Sequence, residues 1–85
     1  MPKVSEFFGI AIYVYWRDHG PPHFHAVYGE YDAVISIHGL AVLRGRLPPR
    51  PMGLVMEWAT LRQSELESVW KQAENFDPLS PIEPL

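Results

Sequence analysis

The apolar positions of residues 9–44 alternate in the manner of half-buried β-strands. Residues 9–16 and 23–28 are rich in β-branched and aromatic side chains, and residues 31–37 repeat the pattern. Successive side chains of a strand point to opposite faces, so one apolar face and one mixed face are expected. Together with a short fourth run after residue 39, these segments predict a four-stranded antiparallel meander.

Two tight turns set the expected register of this meander. Gly29-Glu30 suits a two-residue type II′ turn, which favours glycine at its first position. This turn places Phe24 opposite Ile35, so that apolar side chains face each other on one side of the sheet. His38-Gly39 is the second predicted turn, and it places Ile35 opposite Val42.

The apolar spacing changes to a helical period over residues 51–76. The pattern lapses at Arg62-Gln63, where Ser64 and Glu67 have the spacing of a capping box. We therefore predict one long helix, with a break at this point as the alternative. Residues 77–85 contain three prolines and are expected to form an extended tail.

The predicted fold class is α+β: a four-stranded antiparallel β-meander followed by a C-terminal helix packed on one face. The inner face, under the helix, comprises Ile10, Ile12, Val14, Trp16, Phe24, Ile35, Ile37, Leu40 and Val42. The opposite face, called the outer sheet face below, comprises Tyr13, Tyr15, His23, His25, Val27, Val34, Ser36 and Leu43. Exposed apolar patches mark interaction sites. We therefore expect a protein partner, a second copy of the chain or the tail to cover the outer sheet face.

Length and composition limit the classes of function. Residues 1–85 suffice for a single domain. The absence of cysteine excludes disulfides, thiolate zinc sites and thiol nucleophiles. A net charge of −3 argues against non-specific wrapping of nucleic acid. We find neither a signal-peptide pattern nor the run of about 20 apolar residues that a membrane helix needs, so we expect a cytoplasmic protein without a membrane partner.

A histidine-rich segment is the most informative part of the sequence. His23 and His25 lie two apart on a predicted strand, so both point the same way, about 7 Å apart along the backbone. Such a pair forms half of a metal site, and His19 or Asp18 from the preceding loop can complete it. No cofactor is required by the sequence, and a divalent metal is the alternative. Equally, the histidines can bond to Asp18 and to loop carbonyls and only rigidify the turn.

The same histidines suggest metal-free chemistry as well. His19, His23 and His25 are candidates for general acid–base catalysis, since histidine titrates near neutral pH. A surface that binds an anion or RNA would add arginines for phosphate and tyrosines for stacking. Its candidate residues are Arg17, Arg44, Arg46, Arg50, Tyr13 and Tyr15.

Several strings resemble a small prokaryotic family known as domain of unknown function 4160. The most specific is Asp18-His19-x-Pro21-Pro22-His23-Phe24-His25. Weaker matches are Phe7-Phe8-Gly9-Ile10, Tyr28-Gly29-Glu30-Tyr31, Leu47-Pro48-x-Arg50, Glu57-Trp58-Ala59, Glu65-Leu66 and Ile82-x-Pro84-Leu85. The resemblance carries no activity with it. Members often have histidine where this chain has Arg62, which argues against a ligand or base from the helix.

The resemblance also raises the expectation of a partner, because genes of the family tend to lie beside a second small gene, as in toxin–antitoxin modules. Our first hypothesis is a protein-binding module, a component of a toxin–antitoxin-like pair that engages its partner through the outer sheet face. The alternatives are a ribonuclease-like enzyme that binds RNA or another anion, and a metal-binding protein that uses the histidine cluster. The sequence leaves open whether the protein is an enzyme.

Overall fold

The structure, a computed structural model, describes residues 2–85. Five strands precede two helices: β1 (Lys3–Phe7), β2 (Ile10–Tyr13), β3 (His23–Tyr28), β4 (Tyr31–Ser36), β5 (Val42–Gly45), α1 (Pro49–Leu61) and α2 (Gln63–Glu74). The strands form one antiparallel sheet in the order β1-β2-β3-β4-β5. The predicted α+β meander with C-terminal helical structure on one face is confirmed, but the count of four strands is corrected to five.

The additional strand, β1, precedes the predicted sheet. It pairs with β2 through a two-residue turn at Phe8-Gly9, with Phe7 opposite Ile10. Both turn residues have positive φ, 50° and 77°. Such a turn favours asparagine or aspartate before glycine. Phenylalanine in that place conceals the turn, and the predicted strand 9–16 therefore includes Gly9.

The β3–β4 hairpin has the predicted turn and register. Tyr28 lies opposite Tyr31, which leaves Gly29-Glu30 as the two-residue loop, and Phe24 lies opposite Ile35. Gly29 has a φ of 58°, the left-handed conformation that a type II′ turn requires at its first position. The hairpin positions His23 and His25, because both lie on β3 and their two-residue spacing places them on one face of the sheet.

The β4–β5 connection differs from the predicted His38-Gly39 turn. Ile35 does lie opposite Val42, but the amide of Ser36 donates to the carbonyl of Ala41 at 2.9 Å, so the loop is longer than two residues. The residue with positive φ is Leu40, at 52°. A bulge then shifts the register of β5, and Val42 is 46% exposed instead of lying on the inner face.

The prediction of one long helix is wrong, and the alternative, a break near Arg62, is confirmed. Arg62 ends α1 and precedes α2 with φ −112° and ψ 20°, outside the helical region. The proposed capping box is wrong, because α2 begins at Gln63 without a side-chain cap, and Ser64 lies inside its first turn. The side chain of Gln63 instead donates to the carbonyls of Ile37 and His38, which joins the helix to the β4–β5 loop.

The core lies between the helices and the inner sheet face. Trp58 of α1 is fully buried, with ring centroids 5.3 Å from Phe7 and 5.9 Å from Phe24. Burial of each large apolar side chain stabilises the fold by about 1.5–3 kcal/mol. The prediction that Trp16 lies on the inner face is wrong. Strand β2 ends at Tyr13, so the alternation of side chains between the two faces stops before Trp16. Trp16 is 42% exposed, and its indole donates to the carbonyl of Asp77.

The tail packs against the helices and β1 rather than on the outer sheet face. Ile82 is 3% exposed, and its amide donates to the carbonyl of Val4 at 2.7 Å. Trp58 donates its indole N–H to the carbonyl of Glu83. The tail therefore protects part of the edge strand β1 and completes the core. Within residues 2–85, neither helix has the length and apolar character needed to cross a membrane.

Candidate metal centre

The loop between β2 and β3 brings an aspartate to the start of β3. The chain turns at Arg17, whose φ of 61° lies in the left-handed region, and Asp18 follows directly. After Pro21 and Pro22, which restrict the backbone, β3 begins at His23. The next residue but one, His25, points to the same face of the sheet. Both imidazoles are thus directed at the Asp18 carboxylate.

Three side-chain atoms converge at this point. His23 Nε2 lies 2.8 Å from Asp18 Oδ2, and His25 Nε2 lies 3.2 Å from the same oxygen. One nitrogen from each imidazole and one carboxylate oxygen all lie within 4.8 Å of one another. The aspartate side chain is 29% exposed, so the cluster remains open to solvent on one side. This arrangement has the composition and spacing of a site for a cation.

The imidazole of His23 is held on two sides. Its Nδ1 lies 2.7 Å from the carbonyl oxygen of Pro21, and because a carbonyl only accepts, Nδ1 must be the donor. The ring of Trp70, from α2, lies against it with centroids 5.1 Å apart, and His23 is 6% exposed. The ring orientation is therefore fixed, with Nε2 directed at Asp18.

A row of aromatic rings continues from the cluster along the outer sheet face. Tyr15 meets the ring of His25 edge-on at 4.7 Å, and Tyr13 stacks on Tyr15 at 6.0 Å. The indole ring of Trp70 covers the outer sheet face at His23. This face is therefore not fully uncovered, in contrast to the prediction from the sequence. Tyr13, Tyr15, His25 and Val34 are half-buried, whereas Leu43 is 48% exposed.

The remaining predicted site residues are distributed over several places. The side chain of His19 is not part of the cluster, although its backbone N–H donates to Asp18 Oδ1 at 3.1 Å. Arg17 and Arg44 line two different cavities beside Asp18. Arg46 lies elsewhere, 5.3 Å from the ring centroid of Tyr31, and Arg50 lines a cavity with Phe8 and Tyr28. The arginines therefore do not form one basic patch.

A comparison with protein families gives a match over most of the chain. Residues 9–71 match the family described as Domain of unknown function (DUF4160). The chain belongs to this family. No curated protein and no solved structure matches the chain. The range that matches the DUF4160 family includes Asp18, His23, His25 and Trp70, and so contains the whole cluster with the ring that covers it.

Electrostatics favour the charged form of the aspartate in this cluster. Burial has the largest influence on the pKa of Asp18 and would raise it. Hydrogen bonds from His25 and His23, the charge of His23 and the N–H of His19 together outweigh burial, and they hold the pKa of Asp18 below its ordinary value. Burial also raises the pKa of the Tyr15 phenol, and the nearby Tyr13, Asp18 and Asp32 act in the same direction. The aspartate is thus available as an anionic ligand at neutral pH.

One contributor to the site was missed from the sequence, and another was expected only in general form. Bonding of the histidines to loop carbonyls is one of the sequence-based expectations, and the structure identifies the acceptor as Pro21, two residues before His23. Trp70 was assigned to the core because of its helical spacing, and it is indeed 6% exposed. Its contact with His23 depends on how α2 crosses the end of the sheet, which the spacing of residues along one helix does not specify.

Proposed function

We propose that this protein binds a divalent transition-metal ion through Asp18 Oδ2, His23 Nε2 and His25 Nε2. The observation that carries the proposal is the convergence of one ligand atom from each of these residues within 4.8 Å, with both Nε2 atoms within 3.2 Å of Asp18 Oδ2. Two imidazoles and one carboxylate are a ligand set of zinc hydrolases and of non-haem iron enzymes. Three protein ligands leave at least one coordination position for water or substrate.

The hydrogen-bond partners of His23 are consistent with a cation at this point. With Nδ1 donating to Pro21, a neutral His23 directs the lone pair of Nε2 at a carboxylate oxygen 2.8 Å away. Two lone pairs at this distance repel each other, so either a proton, on the imidazole or on the carboxyl group, or a metal ion lies between them. A proton fills this role when His23 is an imidazolium, and a metal ion fills it when the proton is displaced. Metal-bound histidines commonly donate their other N–H to a carbonyl in the same way.

The spacing of the ligand atoms fits a metal after a small adjustment. In a tetrahedral zinc site with bonds of about 2.0–2.2 Å, the ligand atoms lie about 3.4 Å apart. The two distances to Asp18 Oδ2 are 2.8 and 3.2 Å, so the carboxylate has to withdraw by about 0.6 Å from His23 Nε2 and by about 0.2 Å from His25 Nε2. Asp18 lies on a loop and is partly exposed, which makes this movement easy. A bound zinc ion would lower the pKa of its water and so support hydrolytic chemistry.

Zinc titration of the metal-free protein by calorimetry tests this proposal. We expect one ion per chain, and we expect D18N and H25A each to weaken binding at least about tenfold. H38A is the matched control, since His38 is exposed and outside the cluster. H19A is expected to behave like H38A, because only the backbone of His19 touches Asp18. Circular dichroism of each variant checks the fold. Equal zinc affinity of D18N, H25A and H38A would refute the assignment.

The protein-binding module of a toxin–antitoxin-like pair stays a second proposal. The feature that supports it is the half-exposed outer sheet face with Val34 and Leu43, beside the exposed edge strand β5. Co-purification of a neighbouring gene product with the wild type, lost in V34D, would support a partner on this face. Retention of the partner by V34D would argue against it. The ribonuclease-like alternative makes a different prediction. Its RNA cleavage would continue in the presence of a metal chelator and would be lost in H23A.

A further inference from the structure

A cavity of about 560 Å³ adjoins the proposed metal centre. Asp18 is the one ligand of the proposed centre that lines the cavity, and the other lining residues are Tyr15, Arg17, His19, Trp70, Ala73, Glu74 and Phe76. Small-molecule sites have volumes of about 300–1,000 Å³ and mostly apolar walls with a few polar groups. The cavity therefore has the size and lining for an organic ligand whose reactive group would reach the metal.

Arg17 supplies a positive charge to this cavity. Its guanidinium carbon lies 5.2 Å from the ring centroid of Phe76, a cation–π contact that holds the side chain at the cavity. Arg17 and Phe76 both have left-handed backbone, with φ of 61° and 58°. At Phe76 this conformation belongs to the end of α2, where the amide of Phe76 donates to the carbonyl of Ala73 and the amide of Asp77 donates to the carbonyl of Gln72. At Arg17 it is unfavourable for a residue other than glycine. The bond from Trp16 to the carbonyl of Asp77 ties the two loops together.

The charges around the cavity favour a ligand with a compact negative group. Arg17 and a divalent ion bound to Asp18 would attract an anion, whereas the carboxylates of Asp18 and Glu74, which both line the cavity, would repel it. Phosphate is bound well by a guanidinium together with a metal ion. Phe76, which is 61% exposed, and the half-buried Tyr15 provide most of the aromatic surface on which a planar group can stack, because Trp70 is only 6% exposed.

We propose that this cavity binds a phosphate monoester carrying a planar aromatic group, with the ring against Tyr15, Trp70 and Phe76 and the phosphate between Arg17 and the metal ion. This inference rests on the proposed metal site and names the class of ligand for it. The positive charge of Arg17 and one divalent ion suits one phosphate rather than a chain of phosphates.

Binding of phenyl phosphate to the zinc-loaded protein, compared with inorganic phosphate and with phenol, tests the proposal. We expect phenyl phosphate to bind at least about tenfold more tightly than either comparator. R17Q should weaken its binding about tenfold. R46Q is the matched control, because it removes the same charge and a similar cation–π contact, to Tyr31, outside the cavity. E74Q should tighten binding, since it removes the repelling carboxylate.

The outcomes separate this inference from the metal site. If R17Q and R46Q bind phenyl phosphate equally well, or if inorganic phosphate binds as tightly as phenyl phosphate, the ligand class is refuted even when zinc binds as proposed. If binding depends on Arg17 but is unchanged by chelation, the placement of the phosphate at the metal is refuted. A loss of phenyl phosphate affinity on chelation, together with dependence on Arg17, supports the whole inference.

Discussion

Replacement of Asp18 by asparagine tests the physical basis of the cluster without a metal. The carboxylate accepts hydrogen bonds from His23, His25 and the backbone N–H of His19. A hydrogen bond to a charged group contributes about 1.5–3 kcal/mol, against about 0.5–1.5 kcal/mol for a neutral pair. Because the side chain is 29% exposed, solvent weakens the charged contribution, and we expect D18N to lower the free energy of unfolding by about 1–2 kcal/mol.

The pH dependence of this difference identifies its cause. The pKa of Asp18 is lowered in the folded protein, so its contribution to stability is present above the unfolded value, about 3.9, and is lost as the pH falls through the folded pKa. Urea unfolding with a chelator, at pH 5 and in steps below pH 4, measures the difference between wild type and D18N. D32N is the control, since Asp32 is exposed and outside the cluster. The reasoning fails if D18N and D32N are equally stable, or if the deficit of D18N persists at the lowest pH.

Three further predictions concern the fold. G45A should lower the free energy of unfolding by at least about 2 kcal/mol, because φ is +77° and an added Cβ would lie 2.3 Å from a carbonyl oxygen of β4. G53A, in an open position of α1, should raise the free energy of unfolding by about 0.5–1 kcal/mol. Thermal melts that shift in the same direction for both would contradict this. The raised pKa of Tyr15 predicts that the wild type loses stability relative to Y15F as the pH rises above about 10. The stability that the neutral phenol contributes is complete below the unfolded pKa and is lost as the pH rises through the higher folded pKa. Urea midpoints of both proteins at pH 8 and 11 test the direction of this change. I82A should destabilise the fold by about 2–4 kcal/mol and the exposed control L61A by less than about 0.5 kcal/mol, and equal urea midpoints would show that the tail does not complete the core.

The parts of the fold that were predictable from the sequence are those set by local chemistry. Gly29 at the first turn position indicates the register of β3 and β4, and the two-residue spacing of His23 and His25 on β3 places them on one face. The division between the helices at Arg62 was predicted only as the alternative to one long helix, from the lapse of the apolar pattern there. In both places a few neighbouring residues suffice to select the backbone conformation, so their identity is informative.

The parts that were not predictable depend on contacts between distant segments or on unusual turn residues. β1 was hidden because Phe8 adopts a left-handed conformation that phenylalanine rarely takes, which made the Phe8-Gly9 turn unrecognisable. Trp16 was assigned to the inner face because the alternation of β2 was extended past the end of the strand. The role of Trp70 beside His23 follows from the packing of α2 on the sheet, which local pattern does not encode.

X-ray absorption at the zinc edge of the zinc-loaded protein tests the central claim most directly. The account predicts two imidazole ligands per ion, with zinc–nitrogen distances of about 2.0–2.1 Å, and oxygen in the remaining positions. In H25A, one of the two imidazole contributions should disappear. A spectrum with no imidazole scattering, or one that is the same in wild type and H25A, would contradict the assignment of Asp18, His23 and His25 as the metal centre.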